Sequence, residues 1–395
     1  MATLLCCAAC ETASCVCCLG RCICCLKGKL STKCANGVYL LILICMTSVA
    51  FALQEWGAPE FNFYSFNIGC KDIPGIDEGA CKGENAVYRI SMGLALWFTG
   101  VAIGNMCSTR VHAEFWGIKL VLMLITTTGL FFTPIIGQGG YVQFARVVSV
   151  LFLVTQIVSF IDAAYHWNSF FVNKASASES KCWLNLALFV CFCIMTSVIV
   201  SIVLLFIFYN CGTRPMLFTS ITSVLIIFAT LIQLNTHDTD SSLLTSCIVA
   251  AYVVYLCWAA VSAACPSTPN NQQLILGMFV TSCSLGWTCY SAADYPSVKT
   301  QVLLRQEDIE DIEDIEDIED IDEEGVRTQT RDICTFHIIM AVGSIYMSML
   351  LTNWGVQSGN QSNARMWVSI ASQWMSIGIY IWTLLAPNIC NSREF

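Results

Sequence analysis

The chain has 395 residues, of which 56% are hydrophobic and 12% charged, with a mean hydropathy of +0.65. Water-soluble domains carry about a quarter charged residues, so this composition excludes an ordinary soluble enzyme or nucleic-acid-binding module and makes lipid the main solvent. The formal charge of −9 is local: residues 307–324 hold 13 of the 28 acids, and the rest of the chain is +4, as suits a protein facing anionic cytoplasmic lipid.

Residues 1–35 read as a Cys-rich cytoplasmic segment, with nine cysteines before residue 26. It lacks a basic start and a clean apolar run before a cleavage site, so it is expected to stay in the mature protein. Cys17, Cys18, Cys22, Cys24 and Cys25 stand near Arg21, Lys27, Lys29 and Lys33 just before an apolar run. Juxtamembrane thiols beside bases suit reversible palmitoylation, which this reading favours. Burial in the membrane domain and a metal site are the alternatives; Cys7 and Cys10 have no matching second pair or histidine, so no metal is expected.

Crossing about 30 Å of hydrocarbon takes about 20 mostly apolar residues, and unsolvated backbone forces them into helix. Ten windows qualify: 36–54, 86–105, 117–136, 141–165, 182–208, 215–235, 243–264, 274–292, 332–352 and 366–387. The first eight spans occupy 36–292, an acidic loop 293–331, the last two spans 332–387, and a tail 388–395. With the N-terminus inside, 13 of the 19 Lys and Arg fall on inner segments. The positive-inside bias therefore predicts two cytoplasmic termini and a cytoplasmic acidic loop, in the plasma membrane or endomembranes.

The first outer loop contains Cys70 and Cys81, candidates for a disulfide in an oxidising compartment. The last contains the sequon Asn360-Gln361-Ser362, which makes Asn360 a glycosylation candidate. From Tyr141 through Lys181 no Gly or Pro interrupts the chain, so the fourth helix is expected to outrun the bilayer and tie two bundles together as a long diagonal strut. The Glu-Asp-Ile repeat from Glu307 fits neither a helical stripe nor a strand, and its charge predicts a disordered, solvated spacer. Recruitment of a trafficking adaptor at residues 303–324 is the alternative.

No H-E-x-x-H, G-x-S-x-G or phosphate-binding Gly-Lys loop is present, and the four histidines lie on separate segments, so neither catalysis nor a cofactor is expected. The notable ionisable groups within spans are Arg146, Asp162, His166 and His337. Arg146 and Asp162 are 16 residues apart, about 24 Å on one helix and on opposite faces, so they cannot pair. Asp162 and His166 share a face at i, i+4 spacing. Arg146, Asp162, His166 and Asn168 are either snorkelling anchors of the fourth helix or the lining of a polar lipid groove.

Ordered strings along nearly the whole chain resemble the serine incorporator family. They include Ala86-Val87-Tyr88-Arg89, Met92-Gly93-Leu94-Ala95, Phe115-Trp116 before Lys119, and Ile161-Asp162-Ala163-Ala164-Tyr165-His166-Trp167-Asn168. Further on come Lys181-Cys182-Trp183, Tyr255-Leu256-Cys257-Trp258-Ala259, Leu351-Thr352-Asn353-Trp354 and the ending from Trp367 through Tyr380-Ile381-Trp382 to Pro387. The resemblance implies an all-α polytopic protein of about ten transmembrane helices in two bundles joined by a long fourth helix. It also implies lipid binding and passive scrambling of phospholipids such as phosphatidylserine, with sterol or sphingolipid binding and homo-oligomerisation as further expectations. An older proposal for the family, delivery of serine to phosphatidylserine and sphingolipid synthesis, makes a carrier or scaffold the alternative. For that reading, Gly286 and Gly343 are the faint signals of broken helices.

Overall fold

The computed structural model describes residues 32–57, 78–133, 138–178, 182–235, 243–265, 271–294, 315–354 and 361–389. Among them the secondary structure is helical, without strands. The helices are α1 (Thr32–Ala52), continued by a π turn at Leu53–Gly57, α2 (Glu78–Cys107), α3 (Trp116–Phe132), α4 (Gln138–Ser178) and α5 (Cys182–Phe208). After these come α6 (Thr213–Asn235), α7 (Leu243–Ala264), α8 (Asn271–Asp294), α9 (Ile315–Leu351) and α10 (Gln361–Ile389). A one-turn helix, Arg110–Ala113, precedes α3. Nine helices among the described residues are long and apolar enough to cross a membrane. The exception is α3, whose 17 residues give about 26 Å of rise where residues 117–136 had been expected to span.

Three boundaries depart from expectation for identifiable reasons. Helix α4 has 41 residues, about 60 Å of rise, and starts at Gln138 because glycine is tolerated in a first turn that needs no preceding partner. Helix α2 starts eight residues earlier than hydropathy suggests, because Lys82, Glu84 and Asn85 are buried within it rather than solvated in a loop. Helix α9 begins inside the Glu-Asp-Ile repeat, so residues 315–331, expected to be disordered, are helical. Glutamate is a good helix former, and helix N-termini favour negative charge. Residues 303–314, Cys70, Asn360 and the palmitoylation candidates lie outside the described residues.

The chain forms two compact units. The first comprises residues up to Ala145 with Leu285–Thr352, and the second Arg146–Ser284 with Asn353 onward, so α4 and α8 each contribute to both. In the first unit α2 is the central helix, packed against α1, α3 and α9. Gly93 makes its approach to α3 possible: a Cβ there would stand 2.9 Å from Thr127 Cα. In the second unit α7 is central, packed against α5, α6 and α10, and it buries residues all around its circumference. Helix α5 is the opposite case. Only Cys191, Val198 and Leu205, seven residues apart, are buried, while Phe189, Phe192, Ile199 and Ile207 are exposed as in a lipid-facing helix. Hydroxyls on such faces are satisfied inside their own helix: Thr126, Thr196 and Ser197 each donate to the carbonyl four residues back.

Candidate functional site

In the second unit α4, α5, α7 and α8 enclose a cleft of about 770 Å³. Phe160 lines it from α4; Ile194, Ser201, Leu204, Leu205 and Phe208 from α5; Leu276 and Val280 from α8. Helix α7 supplies Ile248, Ala251, Tyr252, Val254, Tyr255 and Trp258, and Tyr209 follows α5. None of these residues is charged. A shallower recess of about 340 Å³ adjoins it, sharing Ile194, Ser201, Ala251 and Val254 and adding Cys193, Ser197 and Val198.

The wall is held in place by hydrogen bonds that face away from the lumen. Tyr252 Oη lies 3.0 Å from Leu153 O and 3.1 Å from Gln156 Oε1, and the fully buried Gln156 donates through Nε2 to Thr281 Oγ1 at 3.3 Å. Phe160, Tyr252, Tyr255 and Trp258 form an aromatic ladder, with successive centroids 5.5, 6.1 and 6.5 Å apart. At the far end the Trp258 indole donates to Tyr209 Oη at 2.9 Å. Beside this pair Cys211 and Cys265 form a disulfide, tying the turn after α5 to the end of α7. An apolar, aromatic cleft with hydroxyls at its edge has the chemistry to suit a hydrocarbon chain; it offers a free amino acid no partner for either charge.

The residues expected to line a lipid groove are elsewhere. Arg146 is buried and donates to Trp354 O through Nη2 at 2.8 Å and Nε at 3.3 Å. It thereby clamps the turn at Asn353 and Trp354, two non-glycine residues with φ of 47° and 66°, while Arg365 donates to the Asn353 side chain. Asp162 and His166 are exposed on α4 and Asn168 is partly exposed, and none of the three lines the cleft. Spacing placed Asp162 and His166 on one face of α4, but it could not say which face turns inward.

Disulfide chemistry is present at Cys81, which is disulfide-bonded, whereas its expected partner Cys70 lies outside the described residues. The Cys211–Cys265 bond was not anticipated. The available signal was that each cysteine sits at an outer end of its span in the ten-span alternation. Helices α8 and α9 run unbroken through Gly286 and Gly343, so the structure does not bear out breaks there.

In the first unit, histidines expected to be scattered meet in a buried cluster. His112 Nδ1 lies 3.1 Å from His337 Nε2, although the residues are 225 apart in sequence. Lys119, 4% exposed, donates through Nζ to Tyr39 Oη at 2.9 Å, Val111 O at 3.0 Å and His112 O at 3.1 Å. Its ammonium is 3.6 Å from the Trp116 ring centroid, so ring faces and carbonyl oxygens replace a carboxylate partner. Burial, and then the Lys119 charge, hold the His112 imidazole down at about 4. No group of three His, Cys, Asp or Glu that could hold a metal occurs among the described residues.

The family model described as "Serine incorporator (Serinc)" matches residues 5–393. A probable serine incorporator of Nematostella vectensis is 28% identical over 375 residues, covering 79% of this chain and 81% of its own. Serine incorporator 3 of Bos taurus is 25% identical over 385 residues (78% and 80%), and serine incorporator 2 of Homo sapiens is 24% identical over 460 (100% and 98%). An all-α fold of apolar helices and a match over nearly its whole length place this multi-pass membrane protein in the serine incorporator family.

Proposed function

We propose that the protein is an ATP-independent phospholipid scramblase in which the cleft of the second unit takes lipid acyl chains while headgroups move along its hydroxyl-bearing edge. The observation that carries this reading is the uncharged aromatic lining, which suits hydrocarbon and leaves a mobile tail unanchored by ion pairs. Moving a polar headgroup through bare hydrocarbon costs several kcal/mol, and a protein surface that keeps water and hydroxyls near it lowers that barrier. Phosphatidylserine is among the lipids moved. The serine-carrier alternative receives less support, because serine bears two charges and no lining residue matches either.

The cysteines support an orientation with both termini cytoplasmic. With both termini cytoplasmic, Cys81, Cys211 and Cys265 fall at outer ends of spans and are disulfide-bonded, whereas Cys107 and Cys182 fall at inner ends and are thiols. That division supports an oxidising compartment on the outer side.

The test is lipid accessibility in liposomes containing purified protein and a fluorescent phospholipid. Wild-type protein should expose inner-leaflet probe to the outside, and Ala251→Trp, which fills the cleft, should reduce the rate at least tenfold without loss of helicity. Wild-type rates equal to empty liposomes would sink the proposal, and serine uptake without scrambling would replace it with the carrier.

A further inference from the structure

The His112–His337 contact has properties that the scramblase reading does not use. Both rings are buried, 2% and 0% exposed, and their outer nitrogens, His112 Nε2 and His337 Nδ1, have no hydrogen-bond partner among the described residues. At 3.1 Å, Nδ1 and Nε2 share one proton, so the contact needs at least one ring to present a lone pair. The bond joins the one-turn helix before α3 to α9, and Tyr39 braces both rings, 5.4 Å from His112 and 4.6 Å from His337 between centroids.

Among the described residues the charge that acts on His112 is that of Lys119, and it opposes a proton. Helix α1 contributes the Tyr39 hydroxyl, α3 the Lys119 ammonium, and α9 the Cys334 thiol, which donates to Ala102 O at 3.4 Å. Helix α2 contributes the uncharged Trp97 and Phe98 rings, and Arg110 and Glu114 flank the turn at the surface. All three Lys119 protons are committed to Tyr39 Oη, Val111 O and His112 O, and among the described residues no carboxylate forms an ion pair with it, so its positive charge is met there only by dipoles and ring faces. The neutral pair already carries one outer N–H, and a further proton would bring a second buried charge and a second outer N–H with no acceptor among the described residues.

We propose that His112 and His337 form a proton-binding latch: neutral, they fasten the turn before α3 to α9, and proton uptake releases that end of the first unit. The direction follows from linkage. Free in water an imidazole titrates near 6.5, and within the closed cluster His112 titrates near 4. The opened state therefore binds more protons as pH falls through this window, so the latch is fully fastened above about 6.5 and progressively loses its hold toward 4. For one proton the opening equilibrium rises up to about tenfold per pH unit. Local opening of this kind needs no global unfolding.

Amide hydrogen exchange of the full-length protein in lipid nanodiscs, corrected for the intrinsic pH dependence of exchange, reads this opening. Protection of peptides covering residues 109–116 and 334–340 should fall up to about tenfold per pH unit below 6.5, while a peptide of α7 covering 249–257 should not change. In His112→Gln/His337→Gln the same peptides should show no pH dependence, since amides hydrogen-bond but do not titrate. Flat protection in the wild type would overturn the proposal without requiring any variant. So would an equal fall in the α7 peptide, or an unaltered slope in the double variant.

Discussion

In the first unit polar side chains converge: Lys119 donates to Tyr39 and nearby carbonyls and His112 meets His337 within a shell of Trp97, Phe98, Trp116 and Phe336, while the outer nitrogens of both imidazoles have no partner among the described residues. In the second, the buried hydroxyls and amides are dispersed behind an apolar wall, as with Tyr252 and Gln156, and that wall lines a cleft. The contrast shows two uses of polarity among apolar helices. Concentrated, it favours one arrangement, because groups such as Lys119 and Tyr39 would lose their buried hydrogen bonds in any other. Dispersed behind aromatic rings, it supports a surface that hydrocarbon can enter and leave.

The contrast can be broken from either side. Removing the disulfide with Cys211→Ser/Cys265→Ser should have the largest effect, about 3–4 kcal/mol, because the bond closes a loop with a sequence separation of 54. Exchange should rise in α6 and α7 and stay unchanged in α2; equal loosening of both would mean that the units do not fold as separate bodies. Gly93→Val is the converse experiment. Its side chain meets Thr127 backbone, which cannot yield, so α2 and α3 are forced apart at about 2–3 kcal/mol. Thermal unfolding should show the loss, and scrambling by the molecules still folded should persist if the cleft alone carries transport. The smallest effect is expected from Tyr209→Phe, which keeps the phenyl ring and deletes the hydroxyl that accepts one hydrogen bond from Trp258, about 1 kcal/mol. Its rate of lipid transport should change more than its melting temperature, and the reverse result would make the pair a mere brace.

Much of the architecture was legible because bilayer insertion is read from hydropathy residue by residue. All ten expected windows contain a helix, and the strut-like α4 follows from a stretch without Gly or Pro. The acidic repeat misled because its threefold period matches no packing stripe, yet a helix needs no stripe where it is solvated and rich in glutamate. Among the site residues, Arg146 drew attention as an intramembrane charge and proved to serve a turn, whereas Lys119, inside the expected span 117–136, was not singled out although it is buried.

The order of the helices and their being membrane helices were legible from composition along the chain. Which faces meet was not, because in a membrane both faces of a helix are apolar and hydrophobicity no longer marks the buried side. Helices α5 and α7 read alike as hydrophobic runs, yet one faces lipid and the other forms the core of its unit. The same holds for the His112–His337 contact across 225 residues and for the cleft, since both arise from helices that pack only after each has formed.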